Sequence, residues 1–139
     1  MLLSPNRWKY RKQFRWRLSW NSQRGNRVAF GEFGMKAITA GYVTSRQLES
    51  ARKVLVRVTR KVGNIWFRVF PDLPYTKKGL EMPMGSGKGD VDQYRVRVKP
   101  GRILFEISGV DDLTAANIMK QAAYKLPIQI RMVKKGEVR

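Results

Sequence analysis

The chain has no cysteine and no histidine. That removes thiol nucleophiles, disulfides, most zinc sites and the commonest general base together, and it leaves redox compartment unaddressed. Acids are scarce: 10 Asp and Glu stand against 29 Lys and Arg, a net charge of +19. Long apolar runs are missing too, since none approaches the roughly 18 residues of a membrane span. The start, Met1-Leu2-Leu3-Ser4-Pro5, turns basic within a few residues and lacks the apolar stretch of about 7–15 residues of an export signal, so nothing points to export.

What is present is a single domain's worth of chain, 139 residues with 42% hydrophobic and 11% aromatic side chains, enough for a core. A small domain carrying so much charge of one sign repels itself unless a polyanion neutralises it. Nucleic acid is the leading partner, because each neutralised phosphate releases condensed counterions. An anionic membrane surface is the second candidate. It would need an amphipathic helix with a broad apolar face, and residues 1–20 alternate too irregularly to form one, so no membrane partner is expected.

The charge is uneven. Residues 1–30 hold Arg7, Lys9, Arg11, Lys12, Arg15, Arg17, Arg24 and Arg27, and the first acid is Glu32. Trp8, Tyr10, Phe14, Trp16 and Trp20 lie among them. A solvated basic tail is the plain reading, but bulky aromatics are poorly placed in one. They suit an extended arm that orders on RNA, with cations on phosphates and rings against bases or sugars. Residues 1–27 are therefore expected to be an RNA-binding arm, and 28–139 an α/β core.

From Val28 the pattern turns globular. Val28–Ala37 reads as a strand broken by Gly31 and Gly34. Thr44 to about Lys61 reads as a helix with a Thr44-x-x-Gln47 capping box and Leu48, Ala51, Leu55, Val58 and Val62 inward. Arg46, Lys53, Arg57 and Arg60 project elsewhere, as a solvated face or as a grip on phosphates. Ile65–Phe70 reads as a strand stopped by Pro71-Asp72-Leu73-Pro74. Gln93–Lys99 sets Tyr94, Val96 and Val98 against Arg95, Arg97 and Lys99, and a Pro100-Gly101 turn joins it to Arg102–Ser108 as a hairpin. Asp111 or Asp112 caps a helix running to about Leu126, with Leu113, Ala116, Met119, Ala123 and Leu126 inward, and Ile128–Val133 is a last strand. The expected fold is α+β: one compact domain, a largely antiparallel sheet with two packed helices, plus the arm.

Met84-Gly85-Ser86-Gly87-Lys88-Gly89-Asp90 fails as a nucleotide loop: the Gly–Lys spacing is wrong, no Ser or Thr follows Lys88, and a strand follows instead of a helix. It reads either as a flexible surface loop or as bare backbone N–H groups and one Lys set against RNA phosphates. The acids form no catalytic set. Asp111-Asp112 suits a helix cap and Asp72 a turn, while Asp90 and Asp92 flank the glycine loop; a two-carboxylate metal nuclease would need distant acids to converge. Catalytic residues, metal and cofactor are all expected to be none.

Phe30–Ala37 (FGEFGMKA), Thr44–Arg52 (TSRQLESAR), Ile65–Asp90, Lys99–Ile107 and Ala122–Ile128 together resemble the bacterial-type large-subunit ribosomal protein L-sixteen family, related to the archaeal and eukaryotic L-ten-e proteins. The likeness covers nearly the whole chain in order. It implies a compact α/β core with a basic arm, bound to large-subunit rRNA between the central protuberance and the peptidyl-transferase region. It also implies joining late in assembly, beside the site where aminoacyl-tRNA is accommodated, with the chemistry left to RNA. Met84–Asp90 matches the family's glycine-rich loop near the tRNA-facing side, which implies RNA contacts for Lys88 and the backbone around it. Pro83 stands where most bacterial members carry Arg, so that Arg's role does not transfer. The usual His and Gly of the arm give way to the aromatic-rich Phe14–Trp20, a drift that leans towards an organelle.

The expected function is thus a structural, non-enzymatic constituent of the large subunit; the alternative is a free-standing basic RNA-binding module. Expected partners are large-subunit rRNA, tRNA in the aminoacyl site and neighbouring ribosomal proteins, with no homo-oligomer. The expected place is the ribosome of an organelle matrix, mitochondrion before plastid, with the bacterial cytoplasm as the other possibility.

Overall fold

The computed structural model describes residues 3–137. Met1 and Leu2, part of the start read as lacking an export signal, and Val138 and Arg139, the end of the expected core, lie outside them. The described elements are β1 (Phe33–Ala37), β2 (Gly41–Thr44), α1 (Ser45–Thr59), β3 (Asn64–Phe67), β4 (Leu73–Lys77), β5 (Asp90–Val98), β6 (Ile103–Ser108), α2 (Asp112–Ala123) and β7 (Ile130–Lys134). The α+β class holds, with every strand pair antiparallel. The strands divide between two sheets, however: four in the order β3-β6-β1-β7 and three in the order β2-β5-β4. No helix among the described residues is long and apolar enough to cross a membrane.

The division corrects the expected hairpin. β5 and β6 do not pair; β5 lies between β2 and β4, and β6 between β1 and β3. The turn between them shows why. The Gly101 N–H donates to the Ala37 carbonyl (2.7 Å), and the Ala37 N–H donates to the Arg102 carbonyl (2.8 Å). The end of β1 thus takes the groups that would have started a hairpin ladder, and β6 leaves for the other sheet. Gly101 makes the corner at φ 87°, where a side chain would be strained. Ile103 to Ile107 are all buried, so β6 is covered on both faces and must be central.

Two strands were not expected. β2 follows a tight bend and is only four residues long, too short for a periodicity signal. β4 starts in the Pro-rich stretch read as a stop. It is an edge strand of its sheet, where Pro74 is tolerated because one side of the strand makes no ladder bonds. β1 begins at Phe33 and not at Val28, because the backbone N–H groups of Ala29, Phe30 and Gly31 donate to the Glu106 side chain instead of to a neighbouring strand.

α1 begins as the sequence predicts. The Gln47 N–H donates to Thr44 Oγ1 (3.2 Å) and the Thr44 N–H to Gln47 Oε1 (2.9 Å), closing the capping box. Its buried side is Ser45, Leu48, Glu49, Ala51, Leu55 and Thr59. Thr59 takes the place expected of Val58, and Val62 lies beyond the helix end, 78% exposed. In α2 the Asp111 carboxylate accepts the Thr114 N–H, and the buried residues are Ala115, Ile118, Met119 and Ala122. The expected inward Leu113 and Ala116 are exposed, a phase error of about one position; Met119 and Leu126 are buried as expected. The two helices pack against each other, and Met35, Leu48, Leu55, Val98, Phe105 and Ile107 form the centre of the core.

Candidate nucleic-acid interface

The arm's residues carry no helix or strand, yet hydrogen bonds tie them to the core. Tyr42 of β2 donates its hydroxyl to the Trp16 carbonyl (2.6 Å). The Ser22 N–H donates to the Pro100 carbonyl, and the Ile103 N–H donates to the Gly25 carbonyl, both at 2.8 Å. Arg102 donates through Nη1 to the Arg24 carbonyl (2.8 Å) and through Nη2 to the Arg68 carbonyl (3.0 Å). Burial, then the neighbouring Arg68 charge, hold the Arg102 guanidinium below its usual pKa. Arg102 and Tyr42 were not among the expected site residues. Their role as arm supports depends on contacts distant in sequence, which no local pattern signals.

Where the arm enters the core stands Glu106, fully buried on β6. Its carboxylate accepts the N–H groups of Phe30 (2.6 Å) and Gly31 (2.8 Å) and lies 3.2 Å from that of Ala29, while Arg68 forms an ion pair on Oε1. Burial alone would push this carboxyl up. The donors from Gly31, Ala29 and Phe30, then Arg68, overcome that and leave it below its ordinary value. Gly31 is required here, because a Cβ would lie 2.6 Å from the Ile107 carbonyl oxygen. Glu106 lies in the expected strand but was not among the expected site residues: the strand shows alternation on the Ile103–Phe105–Ile107 side, and nothing local reveals an anion among backbone donors.

The expected cations fall into two groups. The first gathers about the three-stranded sheet, the arm and the glycine-rich loop. Arg7, Arg11 and Lys12 line a groove with Trp8, Asp90 and Tyr94. Arg17 and Arg97 line another with Trp16 and Arg102. Arg15 lies 4.2 Å from the Tyr75 ring centre, and Arg95 lies 3.4 Å from the same ring. Lys9 stands 5.5 Å from the Tyr10 ring, while Arg24 and Arg27 accept bonds through their carbonyls from Arg102 and Arg68. Arg95 and Arg97 are half-buried rather than the exposed row that strand alternation suggested.

The glycine-rich stretch lies in the connection between β4 and β5, which are paired up to Lys77 and Asp90. Met84, Gly85, Ser86, Gly87 and Lys88 are exposed, and Gly89 is half-buried. Gly85 and Gly87 take φ of 96° and 86°, so the glycines serve the backbone path. An added Cβ would meet nothing at either. Lys88 does not project freely. Its Nζ donates to the Gln13 carbonyl (2.7 Å), and Lys12 Nζ returns a bond to the Lys88 carbonyl (2.8 Å), coupling loop and arm.

The second group is on α1. Arg46, Lys53, Arg57 and Arg60 are all exposed and, at 3.6 residues per turn, fall within an arc of about 60°. Arg52 is outside this row and already paired with Glu49 at 2.7 Å; that hydrogen bond, against the opposing effect of burial, holds the Glu49 carboxyl down to about 2. Other acids are likewise engaged: Asp112 with Lys134, Asp90 with Lys12, and Asp111 at the α2 cap. Among the described residues, no group of three or more acids gathers as a metal site would require. Around the basic surface Phe14 and Trp20 are each 84% exposed and Trp16 67%, rings open to stacking.

Residues 5–133 match the family model described as ribosomal protein L16p/L10e. Proteins named large ribosomal subunit protein uL16 from Macrococcus caseolyticus (strain JCSC5402), Staphylococcus carnosus (strain TM300) and Staphylococcus aureus (strain Newman) are each 47% identical over 137 residues. The alignment covers 99% of this chain and 95% of each relative. These relatives are bacterial and lend no support to the expected lean towards an organelle.

Proposed function

Because the chain belongs to the ribosomal protein L16p/L10e family, we propose that it is a structural constituent of the large ribosomal subunit, held there by rRNA and by neighbouring ribosomal proteins. The observation that carries the mechanism is the gathering of arm, glycine-rich loop and three-stranded sheet into one cationic surface with exposed rings. Cations on phosphates position such a protein without reading sequence, and RNA shape with ring stacking supplies selectivity. Residues 1–27 act as the RNA-binding arm and 28–139 as the folded wedge. The row Arg46, Lys53, Arg57 and Arg60 offers a second contact for backbone.

The finer reading sets the chain beside the aminoacyl-tRNA accommodation site and the peptidyl-transferase region, with Met84–Gly89 towards tRNA. The exposure of that loop supports it. The protein does no chemistry in this reading; it joins late and shapes RNA that does. The bacterial relatives weigh for a bacterial cytoplasm over a mitochondrial or plastid matrix.

The test is sedimentation of a source-cell lysate through gradients at low and high salt, with fractions probed for this chain. Co-migration with the large subunit and with whole ribosomes, and release only at high salt, is the expected result. Sedimentation as a free protein at every salt concentration would sink the proposal and favour the free-standing RNA-binding module.

A further inference from the structure

Two guanidiniums share one phenol ring where the arm crosses the three-stranded sheet. Arg15 from the arm stands 4.2 Å and Arg95 from β5 3.4 Å from the centre of Tyr75 on β4. Two like charges held on one ring repel, and the usual remedy is a carboxylate within reach of both. Among the described residues, none of the ion pairs, which join Lys12, Arg52, Arg68 and Lys134 to acids, includes Arg15 or Arg95. Arg95 also keeps its Nε–H buried with no hydrogen-bond partner, a donor whose desolvation is uncompensated. A ring can hold two cations over its electron-rich face, and the Tyr75 hydroxyl offers the arginines an acceptor, yet neither supplies a negative charge. The site therefore lacks an anion with several acceptor oxygens, and a phosphate matches the guanidinium fork in geometry and charge.

We propose that Arg15 and Arg95, held on Tyr75, form a single phosphate site that takes one phosphodiester of the RNA backbone and so clamps the arm to the core. This inference rests on the rRNA-binding reading above and adds to it a defined position. Supporting it, the hydrogen bond from Arg15, followed by the charges of Arg15 and Arg95, holds the Tyr75 phenol below its usual pKa, so both cations act on this one ring. One phosphate bridging both arginines has a signature that two separate contacts lack. Removing either arginine breaks the same contact, so the second removal costs little more.

The experiment measures binding of the full chain to naked large-subunit rRNA across a salt series, for the parent, Arg15→Gln, Arg95→Gln and the double variant. A parallel series adds inorganic phosphate at constant ionic strength, to separate free phosphate from RNA backbone as the occupant. Each single variant is expected to flatten the slope of log K against log salt by about 0.7–0.9, one phosphate's worth, and the double variant by the same amount. Tyr75→Phe, which keeps the ring, is expected to leave the slope unchanged. Additive losses in the double variant, or unchanged slopes in the singles, would overturn the shared site while leaving rRNA binding intact. Reversal of the difference by millimolar inorganic phosphate alone would assign the site to free phosphate and overturn its role on RNA. Absence of salt-dependent binding by the parent chain would instead overturn the rRNA reading itself.

Discussion

Glu106 is the residue on which the junction of arm and core depends. It is fully buried, and its charge is tolerated because three consecutive backbone N–H groups and Arg68 replace its lost hydration. Glu106→Gln removes the charge and leaves Arg68 with an unpaired cation beneath the arm. The expected loss is about 3 kcal/mol at neutral pH, in line with breaking one half of a buried pair. The pH dependence has a definite sign. The folded carboxyl lies below its unfolded value, so its contribution is present above the ordinary carboxylate range and is lost as pH falls through the folded pKa. Urea midpoints of parent and variant are therefore expected to differ widely at pH 7 and to converge on acidification. A gap that stays constant down to pH 2 would show that the ionised form is not what stabilises the site.

At the scale of elements, the start of α1 and the corner between the sheets are instructive. The capping box satisfies donors that a helix's first turn would otherwise leave open, and the sequence pattern announces it. Thr44→Ala is expected to cost about 1 kcal/mol, read as a shift of the denaturant midpoint at unchanged slope. Thr44→Ser should recover most of that; if it does not, the methyl group's packing and not the cap accounts for the loss. The corner at Pro100-Gly101 is the opposite case. Local pattern pointed to a hairpin, because two alternating strands flank a turn pair. The outcome was decided by the end of β1, which bonds to both sides of the turn and draws β6 into another sheet. In α2 the capping acid was visible, but the phase was not: Ala115 and Ile118 are buried where Leu113 and Ala116 were expected.

At the scale of the whole molecule, the +19 charge is the dominant quantity. With about eight phosphates neutralised, log K for rRNA against log salt is expected to slope roughly −6 to −7. A slope shallower than about −3 would show that shape and stacking, not charge, dominate binding. Reversing the charge of Arg11 and Arg15 together is expected to weaken incorporation into large subunits while leaving the fold intact, since both are exposed. Normal incorporation of that double variant would remove the arm from the list of RNA anchors.

The sequence by itself determined the α+β composition, the capping of both helices and the family, because each rests on composition or on residues near one another in the chain. It also located the cations, whose number needs no fold. The tertiary structure decided which strands pair, that β4 exists despite its proline, and that the arm is supported by Tyr42, Arg102 and Glu106. It brought Arg15, Tyr75 and Arg95 onto one ring from three separate segments. Such meetings depend on which backbone donors and acceptors are already taken when distant segments come together. That competition is settled across the whole chain, so no local spacing records it.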